Sequence, residues 1–200
     1  GGFSLPAAEA VCATPPAAQA ADDGRMGNSI TAELADSIDV LLDQSLLAEV
    51  SQVDGAAKST GVVFADGVSL IDSDGEALGQ QGAPNFGSNW SDDEELTPYR
   101  LIEGSGPTQD GEVAVDSVSA EAAGYAVGDR IDIVTPTGNT DAELVGIFRF
   151  GTSGNLAGAT IAAFDTPTAQ RLLLNGAKGY TEIDVVAEDG VSQDTLADRI

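Results

Sequence analysis

The spacing of apolar residues predicts a helix in the first quarter of the chain. Between Thr31 and Val53 they recur every three or four residues, which is the period of one helical face. Its members are Leu34, Ile38, Leu41, Leu42, Leu46, Val50 and Val53. Because Ile38, Val40 and Leu42 also alternate, a competing interpretation is a strand at 38–42 followed by a short helix from Ser45. We favour the longer helix, ended by Asp54-Gly55.

Short strands and tight turns are predicted for the middle of the chain. The strand patterns fall at 61–65, 68–71, 99–102, 112–115, 130–134 and 142–150. A short helix over 117–123 ends at Gly124, and Asp74-Gly75 supplies the positive φ that a tight turn needs. From residue 99 to residue 150 this pattern is typical of a small β-barrel or sandwich.

The last quarter alternates strand and helix patterns. After a glycine-rich loop at 151–158, we predict a strand at 160–164, a helix at 166–174 with Pro167 in its first turn, and a strand at 181–187. A final helix follows, with Ser192 as N-cap and Val191 and Leu196 as a hydrophobic staple.

Together these elements predict an α+β fold. An α/β sandwich subdomain of βαβ type is formed by both ends of the chain, at 31–97 and 159–200, and a small β-rich subdomain at 98–158 is inserted into it. Residues 1–30 are rich in Ala and Pro without an apolar period, which predicts a flexible arm.

Charge and composition exclude several classes of function. The 200 residues include 33 acidic and 8 basic side chains and no histidine, giving a formal charge of -25. Such a polyanion would be repelled by nucleic acid. Without histidine, Ser-His-Asp and Cys-His catalytic sites lack a required member. The single cysteine, Cys12, cannot form an intramolecular disulfide and has no neighbouring base. We predict no catalytic residues, and leave only an enzyme assembled from distant carboxylates such as Asp116, Asp132 and Asp165.

Two acidic segments stand out, of which only the first is a candidate metal site, and we predict no metal in this chain. The run 72–76 resembles the start of a calcium-binding loop, but Ala83 occupies the position of the bidentate glutamate, so a plain turn is favoured. The four acids at 92–95 are consecutive and predict a solvated loop or first helical turn.

Several weak motifs, in order, resemble one protein family. They are Glu112-Val-Ala-Val-Asp116, Ala122-Ala-Gly124, Val127-Gly-Asp-Arg130, Leu144-Val-Gly-Ile147, Phe164-Asp-Thr-Pro-Thr-Ala-Gln-Arg-Leu172 and Asp189-Gly-Val-Ser192. Over residues 34–200 the chain resembles the extracytoplasmic core domain of FtsX-like ABC transporter permeases, the MacB-type periplasmic core, in its actinobacterial versions. It departs from the family at 1–28, where a strand usually leads out of the membrane.

The resemblance implies a non-catalytic domain on the outer side of the plasma membrane, between the first and second membrane helices of a permease. A separate cytoplasmic ATP-binding subunit would use ATP, and no cofactor is expected in this segment. The resemblance also implies a permease dimer and peptide, lipoprotein or drug substrates, or force transmission to a cell-wall hydrolase. A chain that starts without methionine and stops inside a predicted helix fits this expectation of a longer protein. The alternative is a secreted or surface-anchored acidic binding module.

Two candidate sites follow from the loop patterns. Phe86 and Trp90 are large apolar groups in a predicted loop at 85–96, beside Asp92 and Asp93, and are candidate partner or substrate contacts. The alternative is that both rings are hydrophobic plugs between the subdomains.

Three glycines, Gly151, Gly154 and Gly158, are candidate hinge positions, or parts of a plain loop. The charge itself predicts either steering of cationic substrates or acidic adaptation of an exported surface.

Overall fold

The chain divides into two units. The computed structural model describes the backbone of residues 4–5, 8–9 and 28–31, together with residues 41–78, 84–154, 156 and 158–200. One unit combines Gly1–Gly61 with Gly179–Ile200, and the other comprises Val62–Lys178.

The described residues form strands and four helices. The strands are β1 (Ser4–Leu5), β2 (Ala8–Glu9), β3 (Asn28–Thr31), β4 (Leu42–Asp43), β5 (Ala56–Val62), β6 (Phe64–Asp66), β7 (Ser69–Ile71), β8 (Asn85–Asn89), β9 (Tyr99–Gly104), β10 (Glu112–Asp116), β11 (Arg130–Thr135), β12 (Gly138–Phe150), β13 (Thr160–Phe164), β14 (Gly179–Tyr180) and β15 (Glu182–Ala187). The helices are α1 (Gln44–Val50), α2 (Ser117–Ala123), α3 (Thr166–Leu173) and α4 (Gln193–Ala197).

The unit at 62–178 is built on one mixed sheet. Its strand order is β6-β8-β13-β10-β12-β11-β7, and β9 also pairs with β12. The β8–β13 and β10–β12 pairs are parallel, whereas the β10–β13 and β11–β12 pairs are antiparallel. One edge of β12 pairs with β10. Its other edge pairs first with β11 and then, further along the strand, with β9.

Alternate residues of β12 are buried, so one face of this strand belongs to the core of the unit. Along β12, Ala142, Leu144, Gly146 and Phe148 are buried, and the residues between them are half-buried or exposed. Phe148 belongs to a buried cluster with Tyr99, Ala114, Ile161 and Ala163.

Aspartates at strand ends start the two helices of this unit. Asp116 accepts a hydrogen bond from the amide of Ser119 at the start of α2, and Asp165 accepts one from Thr168 in α3. Gly124, with φ at +72°, ends α2 in the left-handed conformation. The predicted boundaries of α2 and β13 are confirmed, and α3 ends one residue earlier than predicted.

The other unit contains a sheet with the order β3-β15-β5 and a separate pair of β14 with β4. Its core consists of Val50, Ile183, Val185 and Leu196, so that α1, β15 and α4 share one apolar cluster. Ser192 caps α4 as predicted, since its hydroxyl accepts from the amide of Thr195.

The predicted helix at 31–53 is too long over the described residues. Only Gln44–Val50 is helical, and Leu42–Asp43 is a strand paired with β14. Asp43 caps the helix by accepting from Ser45, which favours the competing interpretation of a short helix. Residues 32–40, on which the rest of the prediction rests, lie outside the described residues. Within the predicted arm at 1–30, β1, β2 and the start of β3 are strands.

The two units divide at residues different from the predicted subdomain boundaries. The prediction assigns 62–97 and 159–178 to the terminal subdomain, but these residues share a unit with 98–158. The reason is strand pairing: β13 lies between β8 and β10, and β15 belongs to a different sheet from β13. The α+β class is confirmed, although β13, α3 and β15 do not build one parallel sheet.

Gly61 is a position where no side chain fits. A Cβ atom there would lie 2.3 Å from ring carbons of Tyr180, and Tyr180 is itself buried. We expect Gly61→Ala to lower the free energy of unfolding by about 1–3 kcal/mol because the rigid ring must move. Urea denaturation followed by circular dichroism measures this change.

The double variant Gly61→Ala/Tyr180→Ala tests the cause. If the clash is responsible, the double variant is no less stable than Tyr180→Ala alone. Additive losses would contradict the clash.

Candidate functional site

An aromatic cluster lies on the sheet where β8 and β12 end and β9 begins. The ring centroids of Trp90 and Tyr99 are 5.9 Å apart in a stacked arrangement, and Phe148 lies 4.5 Å from Tyr99. Phe150 extends the cluster at 6.1 Å from Tyr99. The aromatic residues of β9 and β12 were not singled out from the sequence, which predicted only strands at 99–102 and 142–150.

The structure brings the predicted contact residues Trp90 and Asp92 together. The indole nitrogen of Trp90 donates a hydrogen bond to Asp92 Oδ1 at 2.7 Å. A Cβ at Gly106 would lie 2.0 Å from this nitrogen, so the backbone there closes over the indole. Trp90 is half-buried against the aromatic cluster, as the plug interpretation expects, except that it packs within one unit.

Phe86 lies in a strand, which corrects the predicted loop at 85–96. In β8 it pairs with Ile161 in parallel register, and its ring lies 4.7 Å from Phe64. Asp93 shapes the loop that follows, because its carboxylate accepts from the amide of Glu95 at 3.0 Å. The contact role of these residues stays a prediction.

The three predicted hinge glycines lie inside the unit at 62–178. Gly151, with φ at +55°, follows β12 and donates its amide to the carbonyl of Pro98 at 2.7 Å. Gly154 packs against α2, where a Cβ would lie 2.6 Å from Val118 Cγ2. Gly158 has φ at +90° and precedes β13. The chain passes between the units elsewhere, at 61–62 and 178–179, so the hinge role of these glycines stays a prediction about this loop.

The three distant aspartates considered for an enzyme lie in different surroundings. Asp116 is fully buried, and its two carboxylate oxygens accept from the amides of Ser119 and Ile161 at 3.0 and 2.8 Å. It therefore joins the end of β10 to α2 and β13. Asp165 caps α3, and Asp132 is exposed on β11.

Burial shifts the pKa values of three groups in this unit. It raises the pKa of Asp116, although its hydrogen bonds from Ser119 and Ile161 act in the opposite direction. Burial raises the pKa of Tyr99 to about 12, and that of Tyr125 to about 12 with contributions from Asp72 and Asp132. Both phenols are thus protonated near neutral pH.

A shallow depression of about 330 Å³ lies beside Tyr125. The Tyr125 hydroxyl donates to the carbonyl of Ile71, and Asp129 accepts from the amide of Ala126. Its charged lining residues are Asp72, Asp129, Arg130 and Asp132. Asp72 belongs to the predicted turn, which is confirmed, since its carboxylate accepts from the amides of Asp74 and Glu76 at 2.9 Å.

Within the described ranges, no group of three or more Cys, Asp or Glu side chains is arranged to hold a metal ion. No helix of the described part of the chain is both long and apolar enough to span a membrane.

Comparison with known proteins identifies the fold. The chain is similar to the periplasmic region of MacB from Actinobacillus actinomycetemcomitans, with a TM-score of 0.58, 15% identity, and coverage of 86% of this chain and 80% of that one. It is also similar to the extracellular domain of the noncanonic ABC-type transporter YknZ from Gram-positive bacteria, with a TM-score of 0.56, 13% identity, and coverage of 86% and 88%. No family profile and no curated protein sequence matches the chain. The chain thus has the α+β fold of MacB-like extracytoplasmic permease domains, and its assignment to the actinobacterial versions stays a prediction.

Substitution of Asp116 tests whether its hydrogen bonds to α2 and β13 stabilise the fold. In Asp116→Asn, an amide group replaces one of the two accepting oxygens and faces a backbone N–H. We expect the free energy of unfolding to fall by about 1–3 kcal/mol. The exposed Asp132→Asn is the control and should change it by no more than about 0.5 kcal/mol. Equal effects of the two substitutions would contradict the bridging role.

The raised pKa of Asp116 predicts that the effect of this substitution on the free energy of unfolding depends on pH. Because the pKa of Asp116 is higher in the folded than in the unfolded state, its stabilising contribution is complete below the unfolded pKa and is lost as pH rises through the folded pKa. The stability difference between the original chain and Asp116→Asn should therefore shrink from acid toward neutral pH. Denaturation curves over this range measure it, and a growing difference would contradict the sign.

Proposed function

We propose that this chain is a non-catalytic extracytoplasmic domain of an ABC transporter permease. The observation that carries the proposal is the shared fold, which extends over most of this chain and most of both permease domains. Fold alone does not determine function, so the proposal also rests on the residues. The buried carboxylate of Asp116 has both oxygens occupied by the amides of Ser119 and Ile161, so it joins elements of the fold.

In this role the domain stands outside the plasma membrane and moves as ATP is hydrolysed on the inside. ATP is bound by a separate cytoplasmic subunit, to which the domain is connected through the membrane helices of the permease. Two permease chains form the working dimer. The motion serves export of a peptide or drug, release of a lipoprotein, or signalling at the outer face.

Isolation of the native protein from its own membranes tests this proposal. An antibody raised against the 200-residue chain should detect a protein that resists alkaline extraction from the membrane fraction. Protease added to the outside of intact cells should remove the epitope, because the domain lies on the extracytoplasmic side. Mild detergent extraction should co-isolate an ATP-binding subunit with ATPase activity.

The control for cell integrity is a membrane protein whose epitope faces the cytoplasm, which the protease should cleave only after lysis. Recovery of the epitope in a secreted protein without an ATPase would contradict the proposal and favour the acidic binding module.

A further inference from the structure

The strand β9 has one edge that pairs with no other strand in the part of the chain that the structure describes. Its inner edge pairs with β12 from Phe150↔Tyr99 to Gly146↔Gly104. The register shifts between Ile147 and Phe148, which leaves Ile102 without an opposite residue. Beyond the strand, the amide of Ser105 donates to the carbonyl of Val145, so β9 is held firmly at both ends.

Two apolar side chains of β9 are exposed. Leu101 is 43% exposed and Ile102 is 56% exposed, and the third large exposed apolar residue of the described chain is Val118 on α2. Of the features that protect free strand edges in natural proteins, this edge has the bulge at Ile102 and the charged Glu103 but no lysine or proline, and its two apolar side chains stay exposed. It therefore offers the backbone and the apolar contacts that an added strand requires.

The beginning of this edge is already closed by its own side chains. The amide of Tyr99 donates to Thr97 Oγ1 at 3.3 Å, and the guanidinium of Arg100 donates to the carbonyl of Tyr99 at 2.9 Å. The open part, which we call the β9 edge, is Leu101–Gly104. At about 3.3 Å per residue it is about 13 Å long, enough for a partner strand of about four residues.

The surroundings of the β9 edge are acidic. Arg100 donates to the carbonyl of Glu94 at 3.0 Å and lies 3.9 Å from its carboxylate, which places the acidic segment 92–95 beside the strand. Glu103 is exposed on β9 itself, and Arg149 lies opposite Arg100. The segment 92–95 and Glu103 thus supply five carboxylates to this neighbourhood, against the two guanidinium groups of Arg100 and Arg149. A second copy of this chain would bring the same excess and its own charge of -25, so charge disfavours self-pairing.

We propose that the β9 edge binds an extended, basic peptide segment by strand addition. Its backbone pairs with Leu101–Gly104, its apolar side chains contact Leu101 and Ile102, and its lysine or arginine side chains face Glu103 and the segment 92–95. The inference deepens the proposed function by naming a partner class, but it concerns the isolated chain and is tested separately from membrane location and ATPase association.

The probe is a synthetic peptide of alternating lysine and valine, titrated into the 200-residue chain at the lowest salt at which circular dichroism shows it folded. We expect saturable binding that weakens as salt is raised. Amide NMR shifts should concentrate at residues 101–104. The same peptide with N-methylated valines cannot pair and should not bind, and a peptide with glutamate in place of lysine should not bind either.

Two matched variants test the apolar contact. Ile102→Ser should weaken binding about tenfold, since one apolar side chain loses its contact with the peptide. Val118→Ser removes a similarly exposed apolar side chain from a helix and should leave binding unchanged. Because both residues are exposed, both variants are expected to fold.

Several results would overturn the proposal. They are the absence of binding at low salt, equal binding of the N-methylated peptide, and equal affinity of Ile102→Ser and the original chain. Sedimentation showing a dimer that Ile102→Ser dissociates would assign the edge to a second copy instead. None of these results would bear on where the native protein resides or whether an ATPase accompanies it.

Discussion

The sheet of residues 62–178 depends on the pairing of one long strand. The thirteen residues of β12 hold β10 along one edge and both β11 and β9 along the other. Where β9 leaves the sheet the two backbones approach so closely that side chains are excluded. A Cβ at Gly104 would lie 2.0 Å from the Val145 carbonyl oxygen, and one at Gly146 would lie 2.2 Å from that of Ser105. This contact lies at the end of the open β9 edge, and the aromatic cluster around Tyr99 lies at the other end of the same strand.

Local signals in the sequence predicted those elements that are determined by their own residues. The helix at 117–123 and the start of α3 follow from capping aspartates, from Gly124 and from Pro167, all of which act within one helical turn. The strand at 85–89 was missed because its asparagines and glycine have low strand propensity, and parallel pairing with β13 determines it. The helix at 31–53 was overextended because Leu42 satisfies both a helical and a strand period, and pairing with β14 selects the strand.

The candidate sites likewise combine residues that the sequence singles out with contacts that only the fold shows. Trp90 and Asp92 could be singled out from the sequence, but only the fold shows that the indole is held by Asp92 and covered at Gly106. Leu101 and Ile102 gave no separate signal, because their exposure depends on which strand of the sheet lies at an edge. Acidity was evident from composition, yet its relation to β9 comes from the contact of Arg100 with Glu94. A fold shared with permease domains supplies a context for these surfaces, while the chemistry of a partner is determined by side chains.

The most direct test of the permease account is to determine the full coding sequence that contains these 200 residues, with its neighbouring genes. The account predicts one membrane span before Gly1, about three spans after Ile200, each of about 20 apolar residues, and an adjacent gene or fused domain for an ATP-binding subunit. A secretory signal peptide with no membrane span anywhere in the product would contradict it.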